Sequence, residues 1–120
     1  YTRKEHQLFP ALEAKDFTGP SRVMWGIHDE IRAGVKAMRQ AAEAGDWTAI
    51  REHGLELARQ ITEMIYKEER ILFPTALSLL SDQDWTRIHE GDAAIGYLVE
   101  PAGAGAGADL RCVSGLWDAR

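Results

Sequence analysis

Apolar residues recur every three or four positions in four successive segments of this chain, residues 1–16, 21–44, 47–80 and 82–99. This spacing matches the period of an α-helix. No segment shows the sustained alternation of apolar and polar residues that is typical of a strand. Glycine, proline or serine punctuates the boundaries, and short connections favour antiparallel neighbours. The spacing therefore predicts an all-α protein built as a helical bundle.

Local signals mark where the segments end. Gly45 suits the left-handed C-cap of the second segment, and Asp46 can cap the third. The run Ser81-Asp82-Gln83-Asp84 resembles a capping box at the start of the fourth. Pro74 lacks a backbone donor, so we expect the third helix to kink or break near Lys67–Arg70.

A short motif occurs twice in the chain. Arg3–Pro10 returns 64 residues later as Lys67–Pro74, and both copies end in Leu-Phe-Pro. Glu5 and Glu69 each lie five residues before the proline, on the helix side that carries the Leu-Phe pair. A helical wheel instead places Glu68 near the centre of the apolar stripe and Glu69 at its edge. Because buried unpaired carboxylates are very costly, something should neutralise them, and a metal ion is the obvious candidate.

Two histidines lie beside apolar stripes. His28 flanks the stripe of the second segment, and His89 has Asp92 three residues later on the same helix side. Such a histidine is more often a hydrogen-bonded residue at the core edge, and an acid such as Glu5 is more often exposed. Inward Glu and His on several helices nevertheless build di-metal sites in bundles. Donors without thiolate suit iron or manganese better than structural zinc. The candidate metal ligands are Glu5, His28, Glu68, Glu69 and His89.

Composition excludes several classes of protein. The net charge of −5 argues against nucleic acid as a partner. No apolar run approaches the ~20 residues that a membrane span needs, so no membrane partner is expected. The single cysteine, Cys112, rules out an intrachain disulfide framework and favours a reducing cytoplasm. We therefore predict a cytoplasmic protein.

The end of the chain differs from the rest. Residues 101–108 alternate glycine and alanine after a proline, which is typical of a linker, and the remaining tail is too short to fold alone. We divide the chain into a helical domain, residues 1–100, and a linker with a short tail, residues 101–120. Because the helical pattern is already running by Glu5, we expect the chain to begin inside a helix.

Four motifs together resemble the hemerythrin-like (HHE cation-binding) domain, in the type found next to PAS domains in bacterial and archaeal proteins. They are Arg3–Pro10, Gly19–Arg32, Met64–Pro74 and Ile95–Tyr97, and the resemblance covers residues 1–100. It implies an up-and-down four-helix bundle, here missing its first helix, that holds non-haem iron, usually as two ions.

The resemblance also implies roles for particular residues. Glu5 matches the carboxylate of the family's second helix, His28 the histidine of the third, and Glu68 or Glu69 the carboxylate of the fourth. His89 is an extra candidate ligand. The chain departs from the family at Met64, where many relatives have a histidine. The family also has a histidine directly before the position of Tyr1 and another on an earlier helix, and both fall outside this chain.

The function implied is an iron-binding domain, with manganese as another possible metal, that reports oxygen, nitric oxide or redox state. Its expected partners are a diatomic gas, an attached PAS domain and a second copy of the chain. The second copy is expected because a missing helix would leave a groove over Met24, Leu57 and Ile61. Catalysis is not expected. The main alternative is a metal-free helical module for dimerisation or signal relay, in which Arg or Lys pairs with the acids; a weaker one is a small di-iron oxidase.

Overall fold

The computed structural model describes residues 1–97, and these residues form four helices without any strand. Helix α1 consists of a π-helical turn, Lys4–Leu8, that continues into the α-helical segment Phe9–Glu13. Helix α2 is Gly19–Glu43. Helix α3 consists of Trp47–Lys67, a second π-turn Glu68–Leu72, and Phe73–Leu79. Helix α4 is Asp82–Ile95. The prediction of an all-α protein is confirmed.

The predicted caps are present at the helix ends. Gly45 adopts a left-handed φ of 68°, and the Asp46 carboxylate accepts a hydrogen bond from the backbone N–H of Ala49 at 3.0 Å. Ser81 and Asp84 form a reciprocal capping box at the start of α4. That helix ends at Ile95 rather than at the predicted residue 99, because Gly96 leaves the helical conformation with a φ of 95°.

Each Phe-Pro sequence follows a π-turn instead of a kink or break. A proline ring clashes with the carbonyl four residues earlier and offers no N–H of its own. The chain therefore widens by one residue: the N–H of Phe9 bonds to the carbonyl of Lys4, and the N–H of Phe73 bonds to the carbonyl of Glu68. The predicted break near Lys67–Arg70 is thus replaced by a wide turn, and the repeated motif has a repeated backbone conformation.

The core lies where α1 packs against the other helices. Its buried residues are Leu8, Phe9, Leu12, Met24, Ile31, Met64, Leu72, Ala76 and Leu80. Helices α2 and α3 pack closely: a Cβ at Gly34 would lie 3.2 Å from Leu57 Cδ1. The groove predicted over Met24, Leu57 and Ile61 is wrong for the first of these residues. Met24, expected to be uncovered on one side, is buried, whereas Leu57 and Ile61 are half-buried.

No helix within residues 1–97 is both long and apolar enough to cross a bilayer. The predicted linker, residues 101–108, and the tail with Cys112 lie outside the described residues.

Candidate metal centre

Glu5 lies in the first π-turn and points from α1 toward α2. Its side chain shares the buried face of α1 with Leu8 and Phe9, and the residue is only 4% exposed. Arg32 binds the carboxylate in a bidentate manner, with Nη1 donating to Oε1 at 2.7 Å and Nη2 to Oε2 at 2.8 Å. His28 Nδ1 lies 2.8 Å from the same Oε1. Both oxygens of Glu5 are therefore already hydrogen-bonded to α2.

His28 is wholly buried in the middle of this site. Its ring stacks on the Tyr1 ring at 4.5 Å between centroids and on the Phe9 ring at 5.9 Å. Because Nδ1 donates to the Glu5 carboxylate, the neutral ring carries its lone pair on Nε2. Nε2 is buried and has no hydrogen-bond partner within the part of the chain that the structure describes. Buried polar atoms are rarely left unpaired, so this atom is a candidate ligand.

The charges of this pair follow from their surroundings. The hydrogen bonds from Arg32 lower the pKa of the Glu5 carboxyl despite the burial that opposes ionisation. Burial lowers the pKa of His28, and the hydrogen bond to Glu5 only partly offsets it. At neutral pH the pair is thus an ionised carboxylate and a neutral imidazole, which are the states that metal ligation requires.

The second buried carboxylate, Glu68, opens the π-turn of α3. It is 7% exposed and pairs with the Lys4 ammonium, which reaches across from α1. The same ammonium lies 4.0 Å from Met64 Sδ and 4.8 Å from the centre of the Tyr1 ring. Lys4 and Glu68 occupy equivalent positions of the repeated motif, so the ion pair joins the two copies. Of the two acids left open by the sequence, Glu68 is buried and Glu69 is half-buried.

His89 lies elsewhere. Its Nδ1 is 3.7 Å from Asp92 Oδ2 on the surface of α4, and the side chain is about two-fifths exposed. Asp92 in turn lies 3.6 Å from Arg3 Nη1. The structure therefore brings Glu5 and His28 into direct contact and places Glu68 beside Lys4, the neighbour of Glu5, but it does not bring His89 to them.

A model of the family described as "Hemerythrin HHE cation binding domain" matches residues 1–76. The match spans more than half of the 120 residues. The chain belongs to the hemerythrin HHE cation-binding domain family. Searches of curated proteins and of solved structures gave no match.

The donor set of this hemerythrin-domain chain fits a cation in part. His28 Nε2 offers a ligand atom whose ring is already oriented by a carboxylate, as in many metal sites. Glu68 offers a second donor group, with the Lys4 ammonium at its Oε1. Within residues 1–97 there is no group of three or more His, Cys, Asp or Glu side chains that could hold a metal ion.

Two cations that neutralise the site, Lys4 and Arg32, were not among the predicted residues. A signal for both was present. Arg32 lies one helical turn after His28, on the same side of α2. Lys4 directly precedes Glu5, and Glu68 occupies the position equivalent to Lys4 in the second copy of the motif. An acid in one copy and a base at the equivalent position of the other indicate a possible pair.

Proposed function

We propose that this hemerythrin-domain protein binds non-haem iron as a di-iron centre and uses it to sense oxygen, nitric oxide or redox state. The observation that carries the proposal is the buried Nε2 of His28, which lacks a partner within residues 1–97, on a ring held by Glu5. Membership of a cation-binding family supports the same reading. Manganese suits the same oxygen and imidazole donors.

The residues divide into ligands and supports. His28 binds the metal through Nε2, and Glu68 supplies a carboxylate oxygen. Glu5 orients His28, since Arg32 and His28 already use its oxygens. Glu69, as neighbour of Glu68, stays a candidate, and ligation by His89 stays a prediction that its placement on α4 does not favour. Iron held by these residues would supply the atom to which a diatomic gas binds.

We propose a binding role rather than turnover of a substrate, and an attached PAS domain as the receiver of the signal. Self-association is proposed for the α2–α3 hairpin, whose half-buried Leu57 and Ile61 leave apolar area uncovered within the described residues. Light scattering over a range of concentrations tests this, because a monomer at all concentrations contradicts it. The cytoplasmic location stays a prediction.

Thermal unfolding with and without Mn(II) or Fe(II) tests metal binding. A ligand at 100 times its dissociation constant stabilises the folded state by about 2.7 kcal/mol. We expect each metal to raise the Tm of the wild-type protein, and His28→Ala to abolish the rise. His53→Ala is the matched control, because His53 is exposed on α3 and should leave the rise intact. An unchanged wild-type Tm would overturn the proposal.

One observation favours the alternative, a metal-free structural module. Arg32 and Lys4 already neutralise the two buried carboxylates, so these carboxylates need no metal ion to balance their charge. In that case the bundle serves dimerisation or signal relay, and neither metal changes the Tm of the wild-type protein or of any variant. The weaker oxidase alternative requires oxygen-dependent turnover of a substrate.

A further inference from the structure

The two cations of the site hold their carboxylates in different ways. Arg32 makes two parallel hydrogen bonds to Glu5, with one nitrogen on each oxygen. Lys4 contacts Glu68 through a single atom, and only at Oε1. A guanidinium fork is pre-organised for a carboxylate, whereas an ammonium is a point charge on a flexible four-carbon stem. Lys4 is therefore the easier of the two to displace.

The surroundings of Lys4 make the ion pair important to the fold. Both side chains of the pair are largely buried, and the ammonium is bordered by Met64 and the Tyr1 ring. Removing one member of a buried pair leaves the other as an uncompensated charge, which costs far more than the net value of the pair. Without Lys4, the buried Glu68 has to find another cation or become protonated.

The same geometry sets Lys4 against a metal ion. His28 Nε2 is a candidate ligand atom without a hydrogen-bond partner in the described part of the chain. Of the two buried carboxylates there, Glu5 has both oxygens bonded to Arg32, so Glu68 is the one that can bind a cation. The Lys4 ammonium at Glu68 Oε1 already neutralises the carboxylate, and its positive charge repels a metal cation. A cation that binds to Glu68 therefore either displaces Lys4 from Oε1 or binds at Oε2 against the repulsion of the ammonium.

We propose that Lys4 is an internal competitor for the cation: its ammonium stabilises the metal-free bundle by neutralising Glu68 and weakens metal binding at the same carboxylate. This inference rests on the proposed metal binding. In this role, Lys4 determines the metal concentration at which the site becomes occupied. The ion pair also explains how a helical domain with two buried acids keeps its fold when no metal is bound.

The first experiment measures Mn(II) affinity from the electron paramagnetic resonance signal of free Mn(II). Lys4→Met removes the competing charge and retains the apolar stem, so we expect Mn(II) to bind at least about tenfold more tightly than to the wild-type protein. Lys4→Gln keeps a hydrogen-bond donor for Glu68 and should fold if the Met variant does not; its affinity should also exceed that of the wild type. Lys15→Met is the matched control: it removes the same charge and breaks an ion pair with Asp84 on α4, and its affinity should equal that of the wild type.

The second experiment needs no metal. In chelator-treated protein, Lys4→Met should lower the Tm, and adding Glu68→Gln should restore most of the loss, because the second change removes the uncompensated acid. Losses that simply add in the double variant would contradict the counter-ion role. Equal Mn(II) affinity of the wild type, Lys4→Met and Lys4→Gln would overturn the competition while leaving metal binding in place. Failure of all variants to bind Mn(II) would overturn the proposed function and the competition together.

Discussion

At the residue scale, the site is controlled by how each buried charge is matched. Glu5 receives hydrogen bonds from Arg32 and His28, and this matching keeps it ionised within the core. Because Nδ1 of His28 is committed to Glu5, the opposite nitrogen is the one that faces any ligand. Arg32 thus acts on the imidazole through Glu5, although it does not contact the imidazole nitrogens itself.

The first prediction concerns Arg32. In the metal-free protein, Arg32→Gln should lower the free energy of unfolding by roughly 1–3 kcal/mol, because Glu5 loses its bidentate partner while remaining buried. Urea unfolding at pH 7 measures the change. Arg59→Gln is the matched control. Arg59 likewise donates hydrogen bonds to carboxylate oxygens, those of Glu56 and Glu63, but on the exposed face of α3. Exposed ion pairs contribute little, so equal losses in the two variants would contradict the prediction.

The sequence predicted some of these residues and not others. Periodicity placed Glu5 on the helix side of Leu8 and Phe9 and placed His28 only at the edge of an apolar stripe, whereas both residues are buried. The choice between Glu68 and Glu69 stayed open, because the helical wheel placed Glu68 at the centre of the apolar stripe whereas the repeat aligned Glu69 with Glu5. The burial of the two side chains follows the wheel, since the π-turn begins only at Glu68. The ion pair of Lys4 with Glu68 depends on how far a side chain reaches between helices, which spacing along one helix does not describe.

At the element scale, one of the contacts that attach α4 to α1 is close enough to require a glycine. Gln7 Nε2 donates to the backbone carbonyl of Ile88 at 2.6 Å, and a Cβ added at Gly91 would lie 2.6 Å from that nitrogen. Only a glycine allows the Gln7 side chain to approach α4 so closely. Gly26, on α2, has nothing within 4 Å of an added Cβ and therefore provides a comparison.

The second prediction compares these two glycines. Gly26→Ala should stabilise the protein by about 0.5–1 kcal/mol, the usual gain within a helix. Gly91→Ala should lose this gain or destabilise, because its methyl group displaces Gln7 from the Ile88 carbonyl. In a Gln7→Ala background, Gly91→Ala should become stabilising. Urea unfolding of the four variants measures this, and equal gains at both glycines would show that the contact has no energetic importance.

The helix bounds show which elements a sequence specifies by itself. The boundary between α2 and α3 and the start of α4 were predicted closely, since Gly45, Asp46 and the Ser81 capping box act through their own neighbours. The two π-turns were not predicted. They form because Pro10 and Pro74 each clash with the preceding turn, and that turn can respond by breaking, bending or widening.

At the scale of the whole molecule, the first π-turn of α1 contacts all three other helices. Glu5 binds α2, Lys4 binds α3, and Gln7 binds α4, while Arg3, just before the turn, donates to the Gly96 carbonyl at 2.7 Å. A change in the partners of Glu5 or Lys4 therefore acts on the turn that also holds the end of α4, which precedes the predicted linker. In the proposed function, this is the physical route by which the state of the site reaches the proposed PAS domain.

The last prediction concerns the stability of the metal-free protein in acid. Burial lowers the pKa of His28, and the hydrogen bonds from Arg32 lower that of Glu5, so the unfolded chain binds more protons than the folded one below the ordinary pKa of each group. Their contributions are complete above about 6.5 for histidine and about 4.3 for glutamate, and they are lost as the pH falls through the lowered values. The pKa of Asp84, lowered by hydrogen bonds from Ser81, acts in the same sense.

The free energy of unfolding, measured in urea from pH 8 to pH 4, should therefore fall in two stages. His28→Gln should remove the stage that begins near 6.5, because it removes the buried imidazole that only the unfolded chain protonates there. Arg32→Gln should weaken the stage below about 4.3, since the pKa of Glu5 then approaches its ordinary value. His53→Gln, a change on the exposed face of α3, should leave the profile unchanged. A wild-type stability that stays constant between pH 7 and pH 5 would mean that His28 is protonated as readily in the folded bundle as in the unfolded chain, and this would contradict the lowered pKa of the buried imidazole.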